Sequence, residues 1–180
     1  GLEELTIRAV LKKTGLSRRA FYERFSGKDD LVLAVFEHTI RLASEHYRLQ
    51  MTELDDPLER LRLLITLLVL GREAVDDPAL DPEGRRGAAM SREHLRLAES
   101  RPDELQHALE PLLHLIAEVL SAGMEQGVVR PGDARRLAKL VYNLVSTTVH
   151  TELLSQDSAQ ADREQLATEI WLFCCHAVEA

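Results

Sequence analysis

At 180 residues the chain is long enough to bury a sizeable core as one large or two small domains, and its 45% apolar and 29% charged residues, mixed in sign and interleaved with Leu and Val, exclude a disordered or fibrous protein. No stretch approaches the roughly 18 consecutive apolar residues of a membrane helix and no basic-then-apolar leader opens the sequence, so a cytoplasmic protein without a membrane partner is expected. The net charge of −8 is unevenly placed: residues 1–28 hold seven basic and three acidic side chains, giving +4, and the remainder carries −12. An anion-binding end on an acidic body is one reading of that split, because phosphate attraction follows the local field; a solvated charged face is the other. Cys174 and Cys175 are adjacent, so they form neither a disulfide framework nor a four-ligand zinc site, and a buried reduced pair is expected.

Nearly every segment repeats its apolar residues at helical period and none alternates over a strand length, which predicts an all-α fold. Thr6 is placed to cap a short helix through about Lys13, ended by Gly15; Ser17 is placed to cap a second carrying Arg18 to about Arg24. A long amphipathic helix is expected over about 28–51, with Asp29 and Asp30 at its positive end. Asp56-Pro57 marks the start of a helix to about Val75. Pro78, Pro82, Gly84 and Gly87 then predict breaks before a helix near 88–99, and Pro102 opens one ending at Gly127. The last two helices, about 133–154 and 162–178, are apolar on more than one face, as expected of helices that are central or pressed on a partner chain. A two-fold homodimer through Leu144, Val145, Trp171 and Phe173 is the expectation.

Two short helices joined at a Gly, the second opening with a capping Ser and paired arginines, form a helix-turn-helix pattern. Such a pair suits DNA: the second helix fits the major groove, Arg bonds guanine bidentately, and capped helix ends with hydroxyls meet phosphates. Short helix pairs with a Gly turn also occur in ordinary bundles, so the spacing alone leaves both readings open.

The run from Gly1 through Thr6, Gly15, Ser17, Phe21-Tyr22, Phe25 and Lys28 to Leu31 closely resembles the DNA-binding signature of the TetR family of transcriptional regulators. The family shows a Gly before a Thr-capped helix, a Gly-apolar-Ser turn, a Tyr-x-x-Phe ending the recognition helix and a Lys-acidic-x-Leu start to the next. The resemblance covers about 31 residues. It implies a DNA-binding domain over residues 1–30 and a helical ligand-sensing and dimerisation domain over 31–180. Double-stranded operator DNA would be the partner, in a ligand-released repressor acting as a homodimer on a palindromic site. By the same resemblance Thr6 and Ser17 would contact phosphates, Tyr22 and Lys28 would clamp the backbone, Arg18 and Arg19 would face base edges, and Arg8 would lie near the groove rim. Phe21 is either a packing residue or a contact to a thymine methyl. The sequence departs from the family in three ways: it begins without the helix that usually precedes Gly1, so the three-helix domain is incomplete as written; Leu11 stands where a small Ala is usual; and Arg19 stands where a small residue is common.

The resemblance also implies an effector pocket within the C-terminal helices. Polar, aromatic or adaptable residues interrupting the apolar helices are the candidates for it: Met90, His94, His114, Tyr142, Asn143, Thr147 and His150, each equally readable as a satisfied core or surface group. Such walls suit an apolar or amphipathic small molecule rather than a metal or a nucleotide, with the stretch from Pro78 to Gly87 as an entrance. No His-x3-His pair, HExxH, Gly-rich phosphate loop or GxSxG occurs, so neither a metal, a cofactor nor an enzyme is expected. The competing reading is an all-α dimerisation or adaptor protein with a vestigial helix-turn-helix.

Overall fold

In a computed structural model of the chain, residues 6–70, 85–154 and 160–179 are described, without the side chains of 85–91, 153–154 and 160–162. Among them are eight helices: α1 (Ile7–Thr14), α2 (Arg18–Tyr22), α3 (Lys28–Gln50), α4 (Pro57–Leu70), α5 (Arg85–Ser100), α6 (Pro102–Glu125), α7 (Ala134–Leu154) and α8 (Gln160–Val178). The all-α expectation holds. The Asp56-Pro57 start signal acts where the sequence places it, with Asp56 accepting from the Leu58 amide at 2.9 Å; α7 has a cap that the sequence reading did not single out, Asp133 accepting from the Arg136 amide at 3.0 Å. The break expected at Gly87 is absent, since α5 already begins at Arg85 and runs through it; one helical Gly costs only about 1 kcal/mol and a helix anchored further along absorbs that. Most of the Pro78–Gly87 segment, named above as an entrance, lies outside the described residues.

The core is organised around α6, which packs on α3, α4, α5 and α7, while α8 packs on α4. Neighbours on several sides explain why α6 buries Leu109, Leu112, Leu115, Ile116 and Leu120 rather than a single stripe. Opposite them α4 contributes Leu61, Leu64 and Ile65, each at most 1% exposed. A turn past α6, with Gly127 at φ 73°, brings Val129 back over Gly123 and onto the end of α8, where the Arg130 amide donates to the Val178 carbonyl at 2.8 Å.

The final helices divide their apolar residues between two uses. Val145 and Trp171, expected on a dimer face, are instead buried within the chain and Leu144 is half-buried, because α7 and α8 pack on α6 and α4. What remains on the surface is Leu140, Leu172 and Phe173, the last 66% exposed. Cys174 is buried and Cys175 half-buried, both free, and burial pushes each thiol up to about 11, which leaves little reactive thiolate at neutral pH. No described helix is long and apolar enough to cross a membrane.

A Cβ built on Gly123 would lie 2.5 Å from Cγ2 of Val129, a buried β-branched side chain with nowhere to retreat. Gly132 has only ordinary contacts around it, at 3.8 Å or more. Gly123→Val is therefore expected to lower stability by about 1–3 kcal/mol through overpacking. Gly132→Ala should stay within about 0.5 kcal/mol. The midpoints of urea unfolding of the two variants check this.

Candidate DNA-binding surface and effector site

The N-terminal surface is made of two very short helices, each held by a side-chain cap. Thr6 accepts from the Ala9 amide at 3.2 Å to start α1, and Ser17 accepts from the Ala20 amide at 3.1 Å to start α2. Because both caps use a hydroxyl oxygen as acceptor, each hydroxyl proton remains available for an external acceptor. Gly15 ends α1 at φ 72°, a left-handed conformation that a side chain there would strain. Phe21 is 2% exposed, with the Tyr22 and Phe25 rings at 5.3 and 5.4 Å, so it is the buried side of α2. That burial gives Phe21 to packing and removes the thymine contact.

Outward from Phe21, Arg18, Arg19, Tyr22 and Arg24 are exposed, and so are Thr6, Arg8 and Ser17; Lys28 is half-buried at the first position of α3. The residues that the resemblance assigns to DNA thus share the surface of α1, α2 and the start of α3. Glu23, which no motif singles out, sits beside Arg19 at 2.9 Å.

A polar joint lies directly behind this surface. Asp30 accepts from the Ser26 amide at 3.0 Å and from the Ser26 hydroxyl, and its other oxygen accepts from Nη1 of Arg101 at 2.8 Å. Arg101 is the residue between α5 and α6 and also holds Glu104 at 3.1 Å. One turn earlier on α5, Arg96 reaches Asp29 at 3.2 Å and pairs with Glu93, a carboxylate only 8% exposed. The Ser26 hydroxyl first, and then the Arg101 guanidinium, hold the Asp30 carboxyl below its ordinary range. Sequence reasoning gave Asp29 and Asp30 a helix-end role alone; their arginine partners are 67 and 71 residues away in the chain and carry no local signal.

Three of the seven effector candidates come together. His94 of α5 lies hydrogen-bonded to the Tyr142 hydroxyl of α7 at 3.2 Å, its ring 4.7 Å from that of His150 on α7 and 6.1 Å from Phe36 of α3. Burial, and then the neighbouring His150, push His94 down to about 4; burial also lowers His150 and raises Tyr142. All three are therefore neutral at pH 7. Asn143 and Thr147 do not join them, being exposed on α7. His114 is exposed on α6, 3.3 Å from Glu118, and lines an open surface groove of about 510 Å³ with Ser121, Glu125 and Arg135. Of Met90 only the backbone, in α5, is described. No described cluster of His, Cys, Asp and Glu could hold a metal ion.

Residues 1–35 match the family model for bacterial regulatory proteins of the tetR family. Among solved structures, the chain is similar to the fatty acid degradation regulator FadR of Bacillus halodurans, with 20% identity, 97% of this chain and 89% of that one covered, and a TM-score of 0.75. FadR of Bacillus subtilis, in complex with stearoyl-CoA, gives 18% identity, the same coverages and 0.74. FadR of Thermus thermophilus, a TetR-family transcriptional repressor in complex with lauroyl-CoA, gives 21% identity, coverages of 94% and 84%, and 0.68. No curated protein matches the sequence.

The depressed His94 has a consequence for stability. Below its ordinary value of 6.5 the unfolded chain takes up a proton on His94, whereas the folded chain resists until about 4, so stability is intact above pH 6.5 and falls as the pH drops through that window. Partial solvent exposure screens the effect, leaving about 1–2 kcal/mol. His94→Gln should reduce the difference in unfolding free energy between pH 7 and pH 4.5, measured by denaturant titration.

Proposed function

With an N-terminal segment of the tetR family and a body folded like solved FadR regulators, the chain has a TetR-family regulator fold, and we propose that it is a ligand-released repressor acting as a homodimer on a palindromic operator. Residues 1–30 are the DNA-binding domain and 31–180 the sensing and dimerisation domain, joined through α3 rather than by a linker. One observation carries the DNA reading: a capped five-residue helix, anchored by a single buried Phe21, turns two arginines and a tyrosine to solvent inside the segment that matches the family. Arg18 and Arg19 read base edges, Arg8 lies at the groove rim, and Thr6, Ser17, Tyr22 and Lys28 hold phosphates.

The effector is an amphipathic molecule with a long apolar part. The solved neighbours that hold stearoyl-CoA and lauroyl-CoA support this class. So does the polar pole at His94, Tyr142 and His150, which opens no path to a stable imidazolium at pH 7. Neutral imidazoles and a phenol suit an uncharged carbonyl or thioester better than a carboxylate, which would need a proton placed on His94. His94 and Arg96 stand two residues apart on α5, so a ligand that shifts this helix strains the Asp29 and Asp30 contacts next to the DNA surface. Release requires that the effector bind the DNA-incompetent arrangement more tightly.

Duplexes selected from genomic fragments and titrated in gel shifts test the DNA reading. Tyr22→Ala and Lys28→Ala should weaken all duplexes alike, and Lys28→Ala should flatten the salt dependence by about one unit. Arg18→Ala or Arg19→Ala should relax preference by about 1–3 kcal/mol at one base pair; if neither changes preference, the base-reading assignment is wrong. Stearoyl-CoA added to the bound complex should free the duplex.

The exposed Leu140, Leu172 and Phe173 are the faces of α7 and α8 left for a second copy. Such a dimer presents recognition helices about 34–36 Å apart. The chain should sediment as a dimer at micromolar concentration and the double variant Leu140→Asp, Phe173→Asp as a monomer; a monomeric parent chain removes the palindrome from the proposal.

A further inference from the structure

The two arginines of α2 are not equivalent. At about 100° per residue, Arg19 and Glu23 project some 160° away from Phe21, whereas Arg18 lies only about 60° from it. Arg19 and Glu23 are thus the outermost line of the helix, and their side chains are 90% and 60% exposed. Nε of Arg19 donates to Oε1 of Glu23 at 2.9 Å. Among the described residues no carboxylate pairs with Arg18.

The geometry of that pair decides what Arg19 can still do. With Nε occupied, its two terminal amino groups remain as a planar fork, and that fork matches the O6 and N7 acceptors of guanine in the major groove. We propose that Glu23 is a specificity-determining positioning residue, which holds the Arg19 fork for guanine and penalises sites that lack it. The inference rests on the reading of α2 as the recognition helix.

Two physical effects produce the discrimination. Restraining Arg19 before contact removes part of the side-chain entropy that an unsupported arginine loses on binding. The carboxylate also stands on the outermost line of the helix, where it repels phosphates; this lowers affinity for any site in which Arg19 does not reach a base and so fails to balance it. An exposed i,i+4 ion pair adds little to folding, so the effect is to be read on DNA and not in a melting curve.

The test compares the full chain with Glu23→Gln, Arg19→Ala and the double variant, by fluorescence anisotropy on the duplex selected by the parent chain and on duplexes changed at each base pair in turn. Glu23→Gln should reduce discrimination about tenfold at the same base pair that Arg19→Ala affects, and should raise affinity for random duplex. In the Arg19→Ala background it should change no base preference. Unaltered preference in Glu23→Gln overturns the inference alone, as does an equal change in both backgrounds, which would make Glu23 a reader in its own right. A parent chain with no preferred duplex overturns the proposed function and takes this inference with it.

Discussion

The ion pair between Arg101 and Asp30 is the contact on which the arrangement of the chain turns. Asp30 belongs to the first turn of α3, where its charge is already favoured by the helix end, and it also accepts from the amide and hydroxyl of Ser26 in the loop that follows α2. Arg101 sits at the corner between α5 and α6, and α6 is the helix around which the core is built. One carboxylate therefore ties the loop that follows α2, the long helix α3 and the central helix of the body. Arg96 and Asp29 repeat the connection from α5. Both pairs are partly open to water, so each adds little to overall stability; their importance is in fixing where the ends of these helices lie.

The N-terminal segment was legible because its determinants are local. Caps at Thr6 and Ser17, a left-handed Gly15 and an inward Phe21 act over three or four residues, and such signals survive in a bare sequence. Helix existence was legible for the same reason, through Asp56-Pro57 and the apolar periods. What stayed hidden depends on contacts between distant segments. Nothing near Trp171 distinguishes a side chain buried under its own chain from one pressed on a partner, and only the packing of α8 on α4 decides it. His94, Tyr142 and His150 were found as members of a wider set, but nothing along α7 separates Tyr142 from its exposed neighbour Asn143 except the direction in which α5 lies.

The same long-range placement sets the chemistry of the His94, Tyr142 and His150 cluster. A histidine on a helix surface titrates near neutrality, yet His94 is packed against a second imidazole, a phenol and Phe36, and the energy of burying a charge there keeps it neutral. Its Nδ1 is hydrogen-bonded to the Tyr142 hydroxyl, which gives the cluster direction without charge. Glu93, one residue earlier, is also buried, but it is matched by Arg96 and so remains part of the polar joint. Adjacent residues on one helix thereby serve a neutral pole and an ionic one.

The single-turn length of α2 has a consequence for how the chain changes over generations. The helix is held by the burial of Phe21 beside the Tyr22 and Phe25 rings and by its own Ser17 cap, and the side chains of Arg18, Arg19 and Glu23 are exposed. Replacing Arg18, Arg19 or Glu23 therefore leaves the packing of the body and the cluster at His94 untouched. Under the proposed function, base preference could then drift through single codon changes while the helical body is inherited intact, so descendants would acquire new target sites without first losing a response to the old signal.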